Sequence, residues 1–203
     1  MIDANKIDLK KEIEELQKND PGKERGEDIK YLVNYVLRKK GSDGLKRVKA
    51  ELEKLNYQMP DVAKIDDMDW IPTSLVNIFF LASIKQFNWQ EKDIIEMGRN
   101  ALSFKSLTKF FIKYFSTVEK TFRISAKDWR KHYDFGSFEV GESKKKSICL
   151  RVIDFNIHPL TCIYLLGLFG KVVEMASGSK EVIGKETKCM FRGNSFHEFK
   201  FTW

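Results

Sequence analysis

The sequence predicts an α+β protein: N-terminal helices followed by a strand–strand–helix–strand–strand unit with a small antiparallel sheet. Apolar residues recur at helical spacing as far as about Lys120, and beyond Tyr133 the period changes to two. Helices followed by strands, rather than alternating with them, imply α+β architecture. The chain has 203 residues, 42% hydrophobic and 16 of them Phe, which is enough to bury an aromatic core without staples.

The elements follow in order. Asp8 to Asn19 places Leu9, Ile13 and Leu16 on one helical face, and Asp20-Pro21-Gly22 breaks it. Glu27 to Lys40 carries the stripe Ile29, Leu32, Val33, Val36 and Leu37. Basic residues load its last turn and Gly41 follows as a cap. A further helix restarts at Ser42 or Asp43 and ends near Met59-Pro60. Asp61 to Trp70 reads as a loop. Ser74 to Phe87 is apolar all round, the pattern of a buried helix. Asn88 and Glu91 have the spacing of a capping box for a helix reaching Ala101. Ser106 to Lys120 is amphipathic. Ser137 to Val140 and Ile148 to Phe155 alternate like strands around a turn at Gly141 to Lys146. Pro159 to Met175 is helical, and Glu181 to Phe191 and Ser195 to Phe201 form a hairpin around Gly193-Asn194. Residues 1–125 thus make a helical part and 126–203 a strand–helix–strand part, packed as one globular unit.

The net charge of +7 comes from 36 basic and 29 acidic residues that are interspersed. No aromatic and Arg/Gly motif of an RNA module is present, so nucleic acid is not an expected partner. No secretory leader and no run of about 20 apolar residues is apparent, which predicts a cytoplasmic protein without a membrane span. Three cysteines, Cys149, Cys162 and Cys189, are expected as thiols or metal ligands. Neither a nucleophile elbow nor a phosphate loop nor paired carboxylates occurs, so the sequence does not read as an enzyme.

The tail concentrates metal-binding residue types. With a three-residue loop, Cys189 faces Phe199 and lies diagonal to His197 on one face, with Cα atoms roughly 7–8 Å apart. Glu186 points to the other face unless a bulge intervenes. Cys162, on the helix that must cross the sheet, is a fourth candidate, and His158 could replace a weaker ligand. Two thiolates, an imidazole and a carboxylate suit a closed tetrahedral zinc site. The alternative is two small buried apolar cysteines and a rim histidine.

The pattern Glu186-x2-Cys189-x3-Gly193-x3-His197-x-Phe199, with the helix Leu160 to Val173, resembles the end of the 4-vinyl reductase domain family. That family is related to haem–nitric-oxide sensors and to acyl-chain-holding trafficking subunits. The resemblance covers Gly136 to Phe201, with His197 where the family has a second Cys. In the family's aromatic-sensing transcription activators, a helix cysteine, the Glu and the hairpin cysteines surround zinc. Cys162, Glu186, Cys189 and His197 fall on those positions, and such zinc would be structural. The segment Ile95-Glu96-Met97-Gly98-Arg99 also resembles bacterial relatives of the haem–nitric-oxide type.

The resemblance implies a sensor-type domain that holds a small hydrophobic molecule between helices and sheet. Phe111, Phe115, Trp129, His132 and Tyr133 are the candidate pocket residues, Trp129, His132 and Tyr133 because each joins an apolar body to a polar tip. Haem is disfavoured: the Tyr-x-Ser-x-Arg signature of the haem sensors is absent, Phe122-Arg123-Ile124-Ser125 being different. Only His132 and His158 are left as axial ligands once His197 binds metal. The expected partners are a small hydrophobic molecule, a second copy in a homodimer and a separate downstream protein. The alternatives are a ligand-free dimerising scaffold, or an accessory protein presenting a bound substrate to an enzyme.

Overall fold

The computed structural model describes residues 7–101 and 117–203. The amphipathic stretch from Ser106, with Phe111 and Phe115, lies largely outside the described residues. The elements run α1 (Leu9–Lys18), β1 (Lys23–Arg25), α2 (Gly26–Lys54), β2 (Trp70–Pro72), α3 (Thr73–Phe87), α4 (Glu91–Arg99), α5 (Val118–Asp128), β3 (Ser137–Lys144), β4 (Ser147–Ile153), α6 (Pro159–Ser177), β5 (Ile183–Lys188) and β6 (Phe196–Thr202). This is α+β architecture. The chain forms two compact units, one ending at Asp93 and the next beginning at Ile94. The helix-to-strand change near Ser125 falls inside the second.

In the first unit Asp8 caps α1, its side chain accepting from the Lys11 N–H, and Leu9, Ile13 and Leu16 are buried. Gly41 adopts φ 70° and kinks α2 at the predicted break. From Thr73 to Ile84 every residue of α3 is buried, as its apolar pattern requires. Two features depart from the sequence reading. Lys23–Arg25 and Trp70–Pro72 pair as a small antiparallel ribbon, Glu24 opposite Ile71. Strands this short carry no readable period. Asn88 is not the N-cap of α4 but the left-handed cap that ends α3, at φ 49°. The Gln90 N–H instead donates to the Asp93 carboxylate at 2.8 Å.

The second unit is built on a four-stranded antiparallel sheet of order β3-β4-β6-β5. The turn between β3 and β4 is shorter than predicted, because β3 continues past Val140 through a bulge. One face of the sheet carries Ile148, Leu150, Val152, Phe199 and Phe201, and these share a core with Leu165, Phe169 and Val173 of α6 and Phe122 of α5. Phe169 is the hub, its ring 5.3 Å from Phe138, 5.5 Å from Phe199 and 6.0 Å from Phe122.

Pro159 opens α6 at a position where its missing N–H costs nothing. Helix α6 is one the sequence reading underrated: its 19 residues are long and apolar enough to cross a membrane by length and composition. Here Leu160, Cys162, Leu165, Phe169 and Val173 are buried in the domain core. Helix α4 meets α6 backbone to backbone. A Cβ on Gly98 would lie 2.0 Å from the Tyr164 carbonyl oxygen, and one on Gly167 would lie 2.1 Å from that of Ile95. Only glycine permits that approach.

Candidate metal centre

Local sequence decides how the C-terminal hairpin is shaped. Glu186 pairs with Phe199 but Lys188 pairs with Glu198, so Thr187 is one residue too many. That extra residue is a β-bulge, and the Thr187 hydroxyl holds it by donating to the Glu198 carbonyl at 3.1 Å. Directly opposed residues share a face, so Glu186 sits with Phe199 on the core side. The loop is not the predicted three-residue turn. Met190–Arg192 forms a 3-10 turn ended by Gly193 at φ 83°. The Arg192 and Asn194 N–H groups donate to the Cys189 carbonyl, and the Cys189 N–H donates to the Asn194 side chain at 3.0 Å. Bulge and turn together aim Glu186 and Cys189 at one point.

His197 of β6 and Cys162 of α6 reach the same point. One ligand atom from each of Cys162, Glu186, Cys189 and His197 lies within 4.8 Å of the other three. Cys162, Cys189 and His197 are buried, and Glu186 is partly so. His197 Nδ1 is 3.4 Å from Cys162 Sγ and 3.2 Å from Glu186 Oε1. Its Nε2 is 3.2 Å from the Phe155 carbonyl oxygen.

A carbonyl oxygen only accepts, so Nε2 carries the hydrogen and donates. In the neutral ring Nδ1 is then a lone pair. A lone pair facing a carboxylate oxygen at 3.2 Å is repulsive unless a proton or a cation lies between them. The Met190 N–H also donates to Nδ1, at 3.4 Å. An imidazole that donates one N–H to a backbone carbonyl and points its other nitrogen at thiols and a carboxylate has the orientation of a metal ligand. Arg192 braces the site from outside, donating to Glu186 Oε2 at 3.0 Å and leaving Oε1 turned inward.

Burial pushes the Cys162 thiol well up, and the Glu186 charge and Cys189 add to it. Burial also raises Cys189, reinforced by its hydrogen bond to Glu186. Burial opposes the charge of Glu186, but the neighbouring His197, Cys189 and Cys162 and the Arg192 charge outweigh it and hold that carboxyl below its usual range. Without an ion both cysteines are thiols, and a divalent ion would displace their protons.

The other candidates are placed differently. His158 caps α6, Nδ1 accepting from the Leu160 N–H at 3.1 Å, and burial lowers its pKa to about 4. It is not among the clustered four. Trp129 stacks on Tyr133 and Phe138 at 4.6 and 5.6 Å, and its indole N–H donates to the Phe135 carbonyl at 3.1 Å. His132 is exposed just after the 3-10 turn Trp129–Lys131. Phe111 and Phe115 fall outside the described residues. Sequence reasoning missed Phe155 and the bracing roles of Arg192 and Asn194. Phe155 acts through its backbone and leaves no signal, whereas Arg192 and Asn194 stand in the turn the sequence marks.

No protein-family model matches this sequence, and no curated protein matches it either. Solved structures do match in shape. An H-NOX protein from S. oneidensis in the Fe(II)NO ligation state is 15% identical, with 87% of this chain and 97% of that one covered and a TM-score of 0.63. An Fe(II) unliganded H-NOX mutant from K. algicida is also 15% identical, with 88% and 95% covered and a TM-score of 0.64. An oxygen-binding H-NOX domain related to soluble guanylate cyclases is 14% identical, with 88% and 94% covered and a TM-score of 0.59. The fold of this chain is therefore that of H-NOX domains, and these matches do not show a 4-vinyl reductase family.

This corrects the expectation that disfavours haem. Solved structures of this shape include haem domains whose porphyrin distortion and redox potential are under study. The missing Tyr-x-Ser-x-Arg signature is a local side-chain pattern. The fold is set by packing of helices on a sheet, so absence of the signature does not exclude the fold or its cofactor class. The three imidazoles of this chain are the clustered His197, the helix-capping His158 and the exposed His132.

Proposed function

We propose that this chain is a small-molecule-binding sensor-type domain on an H-NOX-like fold, with a structural zinc ion held by Cys162, Glu186, Cys189 and His197. One observation carries the zinc reading: four ligand atoms from a helix and both arms of a hairpin converge within 4.8 Å. Two sulfurs, one nitrogen and one oxygen match zinc's preference for four mixed ligands. All four positions are filled by protein, so the ion leaves no open site for an activated water and pins the hairpin to α6.

The sensor reading rests on fold likeness, and the solved domains of this shape hold Fe(II)–NO or oxygen. Haem and other flat apolar molecules are the ligand classes to try. If haem binds, it supplies an iron on which a diatomic gas can sit. The chain would supply apolar enclosure from helices and sheet. Pairing of two copies is part of the same proposal, as is a separate downstream protein.

Metal analysis of the purified protein tests the zinc reading, with one zinc per chain expected. Haemin titration followed by absorption spectroscopy tests the ligand class. A sharp iron-porphyrin band at one equivalent makes haem the ligand. Its absence, with a hydrophobic molecule co-purifying, makes the domain a sensor of something other than a gas. The absence of both a haem band and a co-purifying molecule contradicts the sensor reading.

A further inference from the structure

A second surface with its own chemistry lies in the first unit, on α2 and around the end of α3. A row of rings runs through it. Tyr35 meets Trp89 edge-on at 5.7 Å, and Trp89 meets Phe87 at 5.2 Å. Cations cover both ends of the row. The Arg38 guanidinium stands 5.8 Å from the centre of the Tyr35 ring. Lys40 Nζ and the Arg47 guanidinium stand 5.2 and 5.5 Å from the centre of the Phe87 ring. Arg38, Lys40 and Arg47 are exposed. Gly44 leaves room for this arrangement: a Cβ there would lie 2.3 Å from the Lys40 Cβ and 3.4 Å from the Phe87 ring.

Among the described residues, no carboxylate pairs with Arg38, Lys40 or Arg47. Asp43 and Glu51, the acidic side chains nearest in sequence, pair instead with Lys46 at 3.2 Å and Lys54 at 3.5 Å. Gln86 holds Arg47 in place. With its amide oxygen turned to the guanidinium, it accepts from Nε and Nη2 at 3.2 and 2.8 Å and leaves the Nη1 edge uncommitted. Helix-end electrostatics accounts for Arg38 and Lys40, which stand in the last turn before the Gly41 break. It does not account for Arg47, which lies beyond that break and well before α2 ends at Lys54. Like charges gathered in one place repel, and the ring faces offset this only in part. An incoming anion relieves it.

We propose that this cation-capped row of rings is a docking surface for an acidic segment of a partner protein, whose Asp and Glu carboxylates meet Arg38, Lys40 and Arg47. Guanidinium groups already settled on rings lose little freedom on meeting a carboxylate, and their planar fork matches its two oxygens. Nucleic acid is served less well, because Tyr35 and Trp89 are buried and offer no open face for stacking bases. A lipid surface is served less well too, because Phe87 is half-buried beside two cations and does not project to insert. The proposal gives the chemistry of the separate downstream protein, and it rests on the sensor reading for that partner's role alone.

Fluorescence anisotropy of a fluorescein-labelled glutamate decapeptide, titrated with the full chain as purified at low ionic strength, is the test. Saturable binding that weakens with added salt is expected. The triple variant Arg38→Gln, Lys40→Gln, Arg47→Gln should lose about tenfold in affinity. The control triple Lys144→Gln, Lys145→Gln, Lys146→Gln removes the same charge around the β3–β4 turn and should match the wild type. If the first triple does not fold, Arg47→Gln alone decides, with a loss of about threefold expected. No saturable binding, equal losses in the two triples, or an unchanged affinity in Arg47→Gln overturns the proposal. So does tighter binding of a single-stranded oligonucleotide or of phosphatidylserine vesicles that the first triple abolishes, which would make the occupant nucleic acid or membrane. Zinc content and haemin titration are separate readouts, so failure here leaves the sensor and zinc readings standing.

Discussion

At the scale of single residues, the proposed metal centre depends on four side chains that cannot be exchanged equally. Cys189→Ala and His197→Ala should each reduce bound zinc from one per chain to near none. His197→Cys should retain it, because thiolate and imidazole both suit the ion. Arg192→Ala touches no ligand atom but frees Glu186 Oε2, and a loss of about 10-fold in zinc affinity is expected by competitive chelator titration. His158 predicts acid sensitivity of a different origin. Its pKa, lowered to about 4 by burial, lies below the unfolded value near 6.5. Stability should therefore fall by about 3 kcal/mol between pH 6.5 and 4, as the unfolded chain takes up a proton that the capped imidazole refuses. Urea midpoints at the two pH values check this. His158→Asn, a cap that does not titrate, should flatten the difference. The ligand types and spacing were legible in the sequence because Glu, Cys and His recur near a glycine turn. The Phe155 carbonyl that orients His197 was not legible, since a backbone acceptor has no residue signature.

At the scale of elements, the hairpin and the helix pair carry the geometry. Alternation alone points Glu186 away from Cys189, and the bulge at Thr187 reverses that. A bulge depends on the pairing partner, so the strand's own sequence fixes only the condition for it. The helices were legible because apolar stripes and breakers mark them. The β1–β2 ribbon was not, because three-residue strands have too few positions to show a period. Asn88 shows the same limit: one residue type suits both an N-cap and a left-handed C-cap, and tertiary packing chose the second. The close approach of α4 and α6 gives a sharp prediction. Gly167→Ala would put its Cβ 2.1 Å from the Ile95 carbonyl oxygen, so the helices must separate, at a cost of about 1–3 kcal/mol. Denaturant unfolding at fixed pH reads that loss directly. Phe169→Ala, at the centre of the ring cluster, should cost about 3–5 kcal/mol by the same measurement.

At the scale of the whole molecule, an α+β chain with an H-NOX-like fold has a mostly helical unit and a sheet-based unit that carries the four clustered ligand candidates. The fold class was legible because helix and strand periods occupy different parts of the sequence. The likeness in fold to solved haem domains was legible only in part, in the resemblance of Ile95-Glu96-Met97-Gly98-Arg99, because a signature search asks for a few side chains while the fold is stored in packing. A bound structural ion stabilises by mass action. At free zinc about a thousandfold above its dissociation constant, the folded state gains about 4 kcal/mol, which a strong chelator should remove. Native mass spectrometry of the protein purified without added metal, followed by denaturation and elemental analysis, measures the central claim most directly. The account predicts one zinc per folded chain, released on unfolding and lost in Cys189→Ala. A metal-free folded chain that still excludes zinc when the ion is supplied at neutral pH would contradict it. The two cysteines would then be buried thiols.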